Sequence, residues 1–155
     1  MTEDRYPTSS EVREVGPRDG LQNEDPLPVE ARIALIDALS STGLRAIEVG
    51  AFVRPDVIPA MAGTDEVLAA IDRRPGVRYR VLVPNLRGAD LALAAGVDEV
   101  EVVVSVSETH NRRNLKMSVD GWGHVRATFG LLWEYALRAG VFMPTTLVAM
   151  TPPLV

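Results

Sequence analysis

Arg18 and Asp19 follow a short β-rich run, Glu48 lies near the end of a second, Asn85 follows a third, and Ser105, Ser107 and Glu108 follow a fourth. In parallel α/β folds the carboxyl ends of strands converge on the ligand, so side chains distant in sequence become neighbours there. Asp19 is a hard oxygen ligand suited to a divalent cation, and the Arg18 guanidinium beside it can steady developing oxyanion charge. The alternative is a local ion pair in a turn, which stabilises by at most ~1 kcal/mol. Glu48 sits among β-branched residues and is costly to bury unless paired. It is therefore expected either at a solvated strand end or against a cation, with Arg18 the nearest candidate. His110 and His124, the only histidines, lie too far apart to share a helical metal face. His124 reads as a surface residue. His110 lies in a loop from which it can reach a ligand, and Arg112 and Arg113 of the same loop can meet phosphates or simply face solvent. The glycines form no GxGxxG or P-loop pattern, and Ser105 and Ser107 lack a nucleophile elbow.

The elements that must position these residues alternate between strand and helix patterns separated by turn chemistry, as βα units feeding a parallel sheet do. EVREV (11–15) is the first strand, ended by Gly16 and Pro17 and followed by a polar loop. A helix runs from about Val29, with Ile33, Leu35, Ile36 and Leu39 as its apolar stripe and Gly43 as its stop. AIEVG (46–50) is the second strand. After a loop holding Pro55 and Pro59, a short helix starts at Thr64 with Asp65 and Glu66 in its first turn and stops before Pro75 and Gly76. YRVLVP (79–84) is strand three, GADLALAAG (88–96) a brief helix, and EVEVVVSV from 99 a strand covered on both faces. A helix over about 118–139 and a fifth strand, TTLVAM (145–150), complete the expected units. Gly121, Gly123 and Gly130 each weaken that helix by roughly 1 kcal/mol relative to alanine. Residues 1–10 are too polar to pack and read as a flexible leader, with the folded domain over 11–155.

Bulk properties narrow the classes of function. A chain of 155 residues with 46% hydrophobic residues is enough for one globular domain. The net charge of -5 gives no electrostatic reason to bind nucleic acid or an anionic membrane. Lys116 is the only lysine, so positive charge is almost all guanidinium, suited to bidentate contact with carboxylate or phosphate. The absence of cysteine excludes disulfides, thiolate metal sites and thiol nucleophiles. With no basic start, no signal-like apolar run and no span-length segment, a cytoplasmic location is expected.

The wording of four segments is more specific. VGPRDGLQNE (15–24), IEVGAFV (47–53), VLVPNLRG (81–88) and SVSETHNRRNLKMSVD (105–120) occur in an order and spacing that resemble bacterial 3-hydroxy-3-methylglutaryl-CoA lyases. The resemblance covers about residues 11–120. It implies the first half of a (β/α)₈ TIM barrel and an acyl-CoA substrate. It also implies a divalent cation, Mg²⁺ or Mn²⁺, and retro-Claisen cleavage to acetyl-CoA and acetoacetate, a step of leucine degradation. By the same resemblance Asp19 is a metal ligand, Arg18 and Glu48 are catalytic, and Arg18, Gln22, Asn85, Ser107 and Asn114 contact substrate.

The sequence also departs from that pattern. It holds no His-x-His pair and no cysteine, and Ala51 stands where the family has a serine. Four or five strands do not close a barrel that takes about 250 residues. The expectation is therefore that the activity belongs to a complete barrel, that this chain alone is inactive, and that the open edge pairs with a second copy or a complementing chain. A non-catalytic binding or oligomerisation module and a citramalate- or homocitrate-type condensing enzyme are the alternatives.

Overall fold

The computed structural model describes residues 9–102. Within them, four parallel strands form one sheet in the order β1-β2-β3-β4: β1 (Arg13–Glu14), β2 (Ala46–Ala51), β3 (Arg78–Leu82) and β4 (Glu99–Glu101). Helices α1 (Val29–Ser40), α2 (Thr64–Ala70) and α3 (Leu86–Ala94) fill the three connections. Every strand pair is parallel. This is the βα alternation expected of the first units of a TIM barrel. The expected helix over 118–139 and the fifth strand lie outside the described residues.

Side chains alternate across a strand, and the two faces of this sheet have opposite chemistry. Ile47 and Val49 of β2, Tyr79 and Val81 of β3, and Val100 of β4 pack with Val83 just after β3 into one apolar core, closed by Ile36, Val67, Leu68, Ala89 and Ala92 of the helices. Glu48, Arg80, Glu99 and Glu101 occupy the alternate positions and are also buried. β4 is thus covered on both faces as expected, and one of those faces holds buried carboxylates.

Helix α1 buries Arg32, Ile36 and Ser40, residues four apart on one face. Leu35, expected in the apolar stripe, lies about 100° around the helix from Ile36 and is exposed. Thr64 does not cap α2. Gly63 is the N-cap, with a left-handed φ of 69° that glycine adopts without steric cost. The Thr64 hydroxyl instead donates to the Met61 carbonyl at 2.8 Å. A register shift between Glu48 and Gly50 marks a bulge in β2. It turns Gly50 toward the helix layer, where an added Cβ would lie 2.6 Å from Thr64 Oγ1. Among the described residues, no helix is long and apolar enough to cross a membrane.

Candidate active site

The polar loop expected after β1 is a tightly wound turn. Residues Gly16–Gly20 form one π-helical turn, continued by a 3₁₀ turn over Leu21–Asn23. Pro17 has no N–H to donate, and the Val15 carbonyl accepts instead from Arg18 N at 3.0 Å and Asp19 N at 2.7 Å. Leu21 N closes the turn on the Gly16 and Arg18 carbonyls. Gly16 N donates to Glu14 Oε1 at 2.6 Å, fixing the entry. Isolated π turns recur at functional sites because they aim a side chain that a regular helix would not. Here the turn points Arg18 across the end of the sheet toward β2.

Arg18 Nε donates to Glu48 Oε1, and its Nη1 donates to Asp19 Oδ1 at 2.8 Å. Gln22 Nε2 donates to the same Asp19 oxygen at 2.9 Å. The guanidinium therefore bridges a fully buried carboxyl and an exposed one, their side chains 0% and 55% accessible. Burial drives the Glu48 carboxyl up to about 7; Arg18 opposes this, and the negative charge of Glu101 adds to it. Below the pair, Arg13 Nη1 donates to Glu101 Oε2 at 2.6 Å, and Glu99 takes Arg78 Nε at 2.7 Å as well as Arg80.

Arg18, Asp19, Gln22 and Glu48, expected together from sequence, thus form one connected set. Asn85 stands apart. Its Oδ1 accepts from Gly88 N at 3.0 Å and caps α3. Ser107 and Asn114, like Ser105 and Glu108, lie outside the described residues. Arg13, Arg80, Glu99 and Glu101 were not read from sequence as members of the set. A signal for them was present, since Glu11 and Arg13, Arg78 and Arg80, and Glu99 and Glu101 each repeat charge at the two-residue period of a strand.

The HMGL-like family model matches residues 10–131. The chain belongs to the HMGL-like family. Among its relatives within and around that family, the chain is 54% identical over 110 residues to the hydroxymethylglutaryl-CoA lyase of Pseudomonas mevalonii, a match over 70% of this chain. It is 51% identical over 114 residues, 73% of this chain, to a Pseudomonas aeruginosa protein described as 3-hydroxy-3-isohexenylglutaryl-CoA/hydroxy-methylglutaryl-CoA lyase. The matches cover 36% and 38% of those two relatives, so the chain spans well under half their length. A solved HMG-CoA lyase from Acenitobacter baumannii, in complex with coenzyme A and 3-methylmalate, superposes with a TM-score of 0.79 at 37% identity, over 86% of this chain and 43% of that one. The HMGL-like match contains the whole of the Arg18, Asp19, Gln22 and Glu48 set and all four strands.

Proposed function

We propose that this chain supplies strand-end residues of an acyl-CoA carbon–carbon lyase site of the 3-hydroxy-3-methylglutaryl-CoA lyase type. The observation that carries the reading is the Arg18 guanidinium, fixed between Glu48, buried in the middle of β2, and exposed Asp19 of the π turn that follows β1. Support also comes from the complex of the related Acenitobacter baumannii lyase with coenzyme A. In a retro-Claisen cleavage the tertiary hydroxyl loses its proton and becomes the ketone of acetoacetate. The electron pair of the broken carbon–carbon bond leaves as a thioester enolate, which takes a proton to give acetyl-CoA. Arg18, held in place before substrate arrives, stabilises the negative charge that develops on oxygen without reorganising. Gln22 restrains Asp19, and Glu48 restrains Arg18. In this reading Asn85, Ser107 and Asn114 contact the substrate from the later loops.

A divalent cation, Mg²⁺ or Mn²⁺ in this reading, supplies Lewis acidity that favours the deprotonated hydroxyl. Asp19 fits as one of its ligands, because its carboxylate is exposed and Arg18 and Gln22 both reach it through Oδ1. Among the described residues no group of three or more His, Asp or Glu side chains can hold a metal ion, so Asp19 is one ligand of a shared site. The open edge of the partial sheet is, in this reading, the surface on which a second copy or a complementing chain pairs. Light scattering tests the second copy, which a monomer at all concentrations removes, and co-expression with a chain supplying the remaining strands tests the complementing chain, which failure to restore activity removes.

The activity is tested in a chimera in which residues 11–102 replace the matching segment of the Pseudomonas mevalonii lyase, assayed for acetoacetate release with added Mg²⁺. Turnover is expected from the chimera and none from the 155-residue chain alone. Arg18→Gln in the chimera is expected to lower kcat by about 10²–10³-fold, the usual loss when one oxyanion donor is removed. Undiminished kcat in that variant would sink the reading.

A further inference from the structure

The Glu48 carboxyl poses a hydrogen-bonding problem that Arg18 solves only in part. Its Oε1 accepts from Arg18 Nε. Its Oε2 is buried and has no donor among the described residues. Glu101, itself a buried carboxyl, acts on the Glu48 carboxyl both by its charge and by side-chain hydrogen bonding. Two ionised carboxylates are acceptors only and repel, so they cannot satisfy each other. One proton between them removes both faults at once, converting two facing acceptors into a donor and an acceptor.

The sheet brings this contact about and holds it. Glu48 is in register with Arg80, and Arg80 with Glu99, so the alternate positions of β2, β3 and β4 project from one face and Glu101 lies two residues further along that row. Arg13 of β1 donates to Glu101 Oε2 at 2.6 Å, anchoring the far side of the pair as Arg18 anchors the near side. The other charged groups around it are Glu14 of β1, Asp19 of the π turn, Arg78 and Arg80 of β3 and Glu99 of β4. Of these, Glu99 is engaged by Arg78 and Arg80, Asp19 by Arg18, and Glu14 by Gly16 N. Glu48 and Glu101 have Arg18 and Arg13 on their outer sides, and the charge of Arg80 acts on both of them from β3.

We propose that Glu101 is a positioning residue of the candidate site, sharing a proton with Glu48 and thereby turning Glu48 Oε1 onto the Arg18 guanidinium. The proposal rests on the reading of Arg18 and Glu48 as site residues, but its chemistry is confined to the buried pair and is present without substrate or metal. The raised Glu48 carboxyl, driven first by burial and further by Glu101, agrees with it.

The test is a ¹³C titration of glutamate side-chain carboxyls in the full 155-residue chain, with no acyl-CoA and no divalent cation present, the Glu48 signal being assigned from its loss in Glu48→Gln. In the unsubstituted chain the Glu48 signal is expected to titrate well above the ordinary glutamate range. In Glu101→Gln the amide donates to the Glu48 carboxylate in place of the shared proton, and the Glu48 midpoint is expected to fall by about one pH unit or more, since hydrogen bonding to the charged form favours it. Arg13→Gln, which loosens the anchor and leaves both carboxyls in place, is the second variant. It is expected to move the Glu48 midpoint as well, a change that a purely packing role for Glu101 would not produce. A Glu48 midpoint that stays put in whichever of the two variants folds overturns the proposal. Because turnover is not read, failure of the lyase assay and failure of this titration are separate results.

Discussion

At the scale of single residues, the decisive contrast is between the two carboxyls that Arg18 holds. Asp19 is exposed, so its ion pair adds little to stability and its oxygens remain within reach of a ligand. Asp19→Asn is accordingly expected to leave the thermal midpoint within about 1 °C while abolishing Mg²⁺-dependent acetoacetate release in the chimera. A large thermal loss would make Asp19 structural. Glu48 behaves oppositely. Its folded-state value of about 7 lies above the ordinary 4.5, so the folded chain binds that proton more tightly than the unfolded chain does. This contribution to stability is complete below about pH 4.5 and is lost as pH rises through about 7. Urea midpoints measured from pH 4.5 to 8 should fall for the unsubstituted chain relative to Glu48→Gln, which has no proton to lose there. Parallel curves would contradict the raised value. Sequence alone left Glu48 either at a solvated strand end or against a cation, with Arg18 as the candidate, because burial of an unpaired carboxylate is costly; the structure takes the second course. Sequence did not suggest Glu101, since a glutamate in EVEVVVSV reads as one polar residue in an apolar strand until the neighbouring strand's register is known.

At the scale of elements, periodicity located the helices and strands, and the exceptions are local. The stretch from Gly16 to Asn23 read as loop because glycine and proline punctuate it, yet the same residues wind into consecutive π and 3₁₀ turns. No side-chain period identifies a single π turn, so its aim could not be read in advance. Arg32 is a second exception, a cation on the buried face of α1 where the helical period demands an apolar residue. It survives there by tying three elements together. Nη1 donates to the Ala62 carbonyl at 2.6 Å and Nη2 to Thr64 Oγ1 at 3.2 Å, just where Gly50 of β2 leaves room. Burial pushes its pKa down. Arg32→Ala removes the bonds, orphans the Ala62 carbonyl and opens a cavity, and is expected to destabilise by about 3–5 kcal/mol in urea unfolding. Arg54→Ala, in an exposed pair with Asp56, is expected to leave the midpoint unchanged. Equal midpoints for the two variants would show that the Arg32 ties are not what holds the 52–63 connection against α1.

At the scale of the whole described unit, the parallel sheet was legible because strand and helix patterns alternate along the chain, and sequential βα units are adjacent in space. The division of the sheet into an apolar face and a charged one was not, because it depends on which face of each strand meets the helices. TIM-barrel interiors are filled mainly by bulky branched side chains, whereas the face opposite the helices here carries arginine and glutamate from all four strands and their flanks. Such a face is stable only while its charges remain paired and dry, so local opening should begin where pairing is thinnest. β1 has two residues and bonds to one neighbour, whereas β2 and β3 are each flanked on both sides and pack on the apolar core. Native-state hydrogen exchange should therefore find the amides of Ile47, Val49, Tyr79 and Val81 opening only with global unfolding. Those of Arg13 and Glu14 should exchange through a smaller opening, by about 2 kcal/mol or more, a gap within the usual spread between core and edge segments. Raising the salt concentration weakens exposed pairs more than buried ones, so the same experiment at about 1 M NaCl should accelerate β1 and leave β2 and β3 nearly unchanged. Uniform acceleration across all four strands would mean that the charged face is open to solvent along its length, and that its ion pairs do not order the sheet.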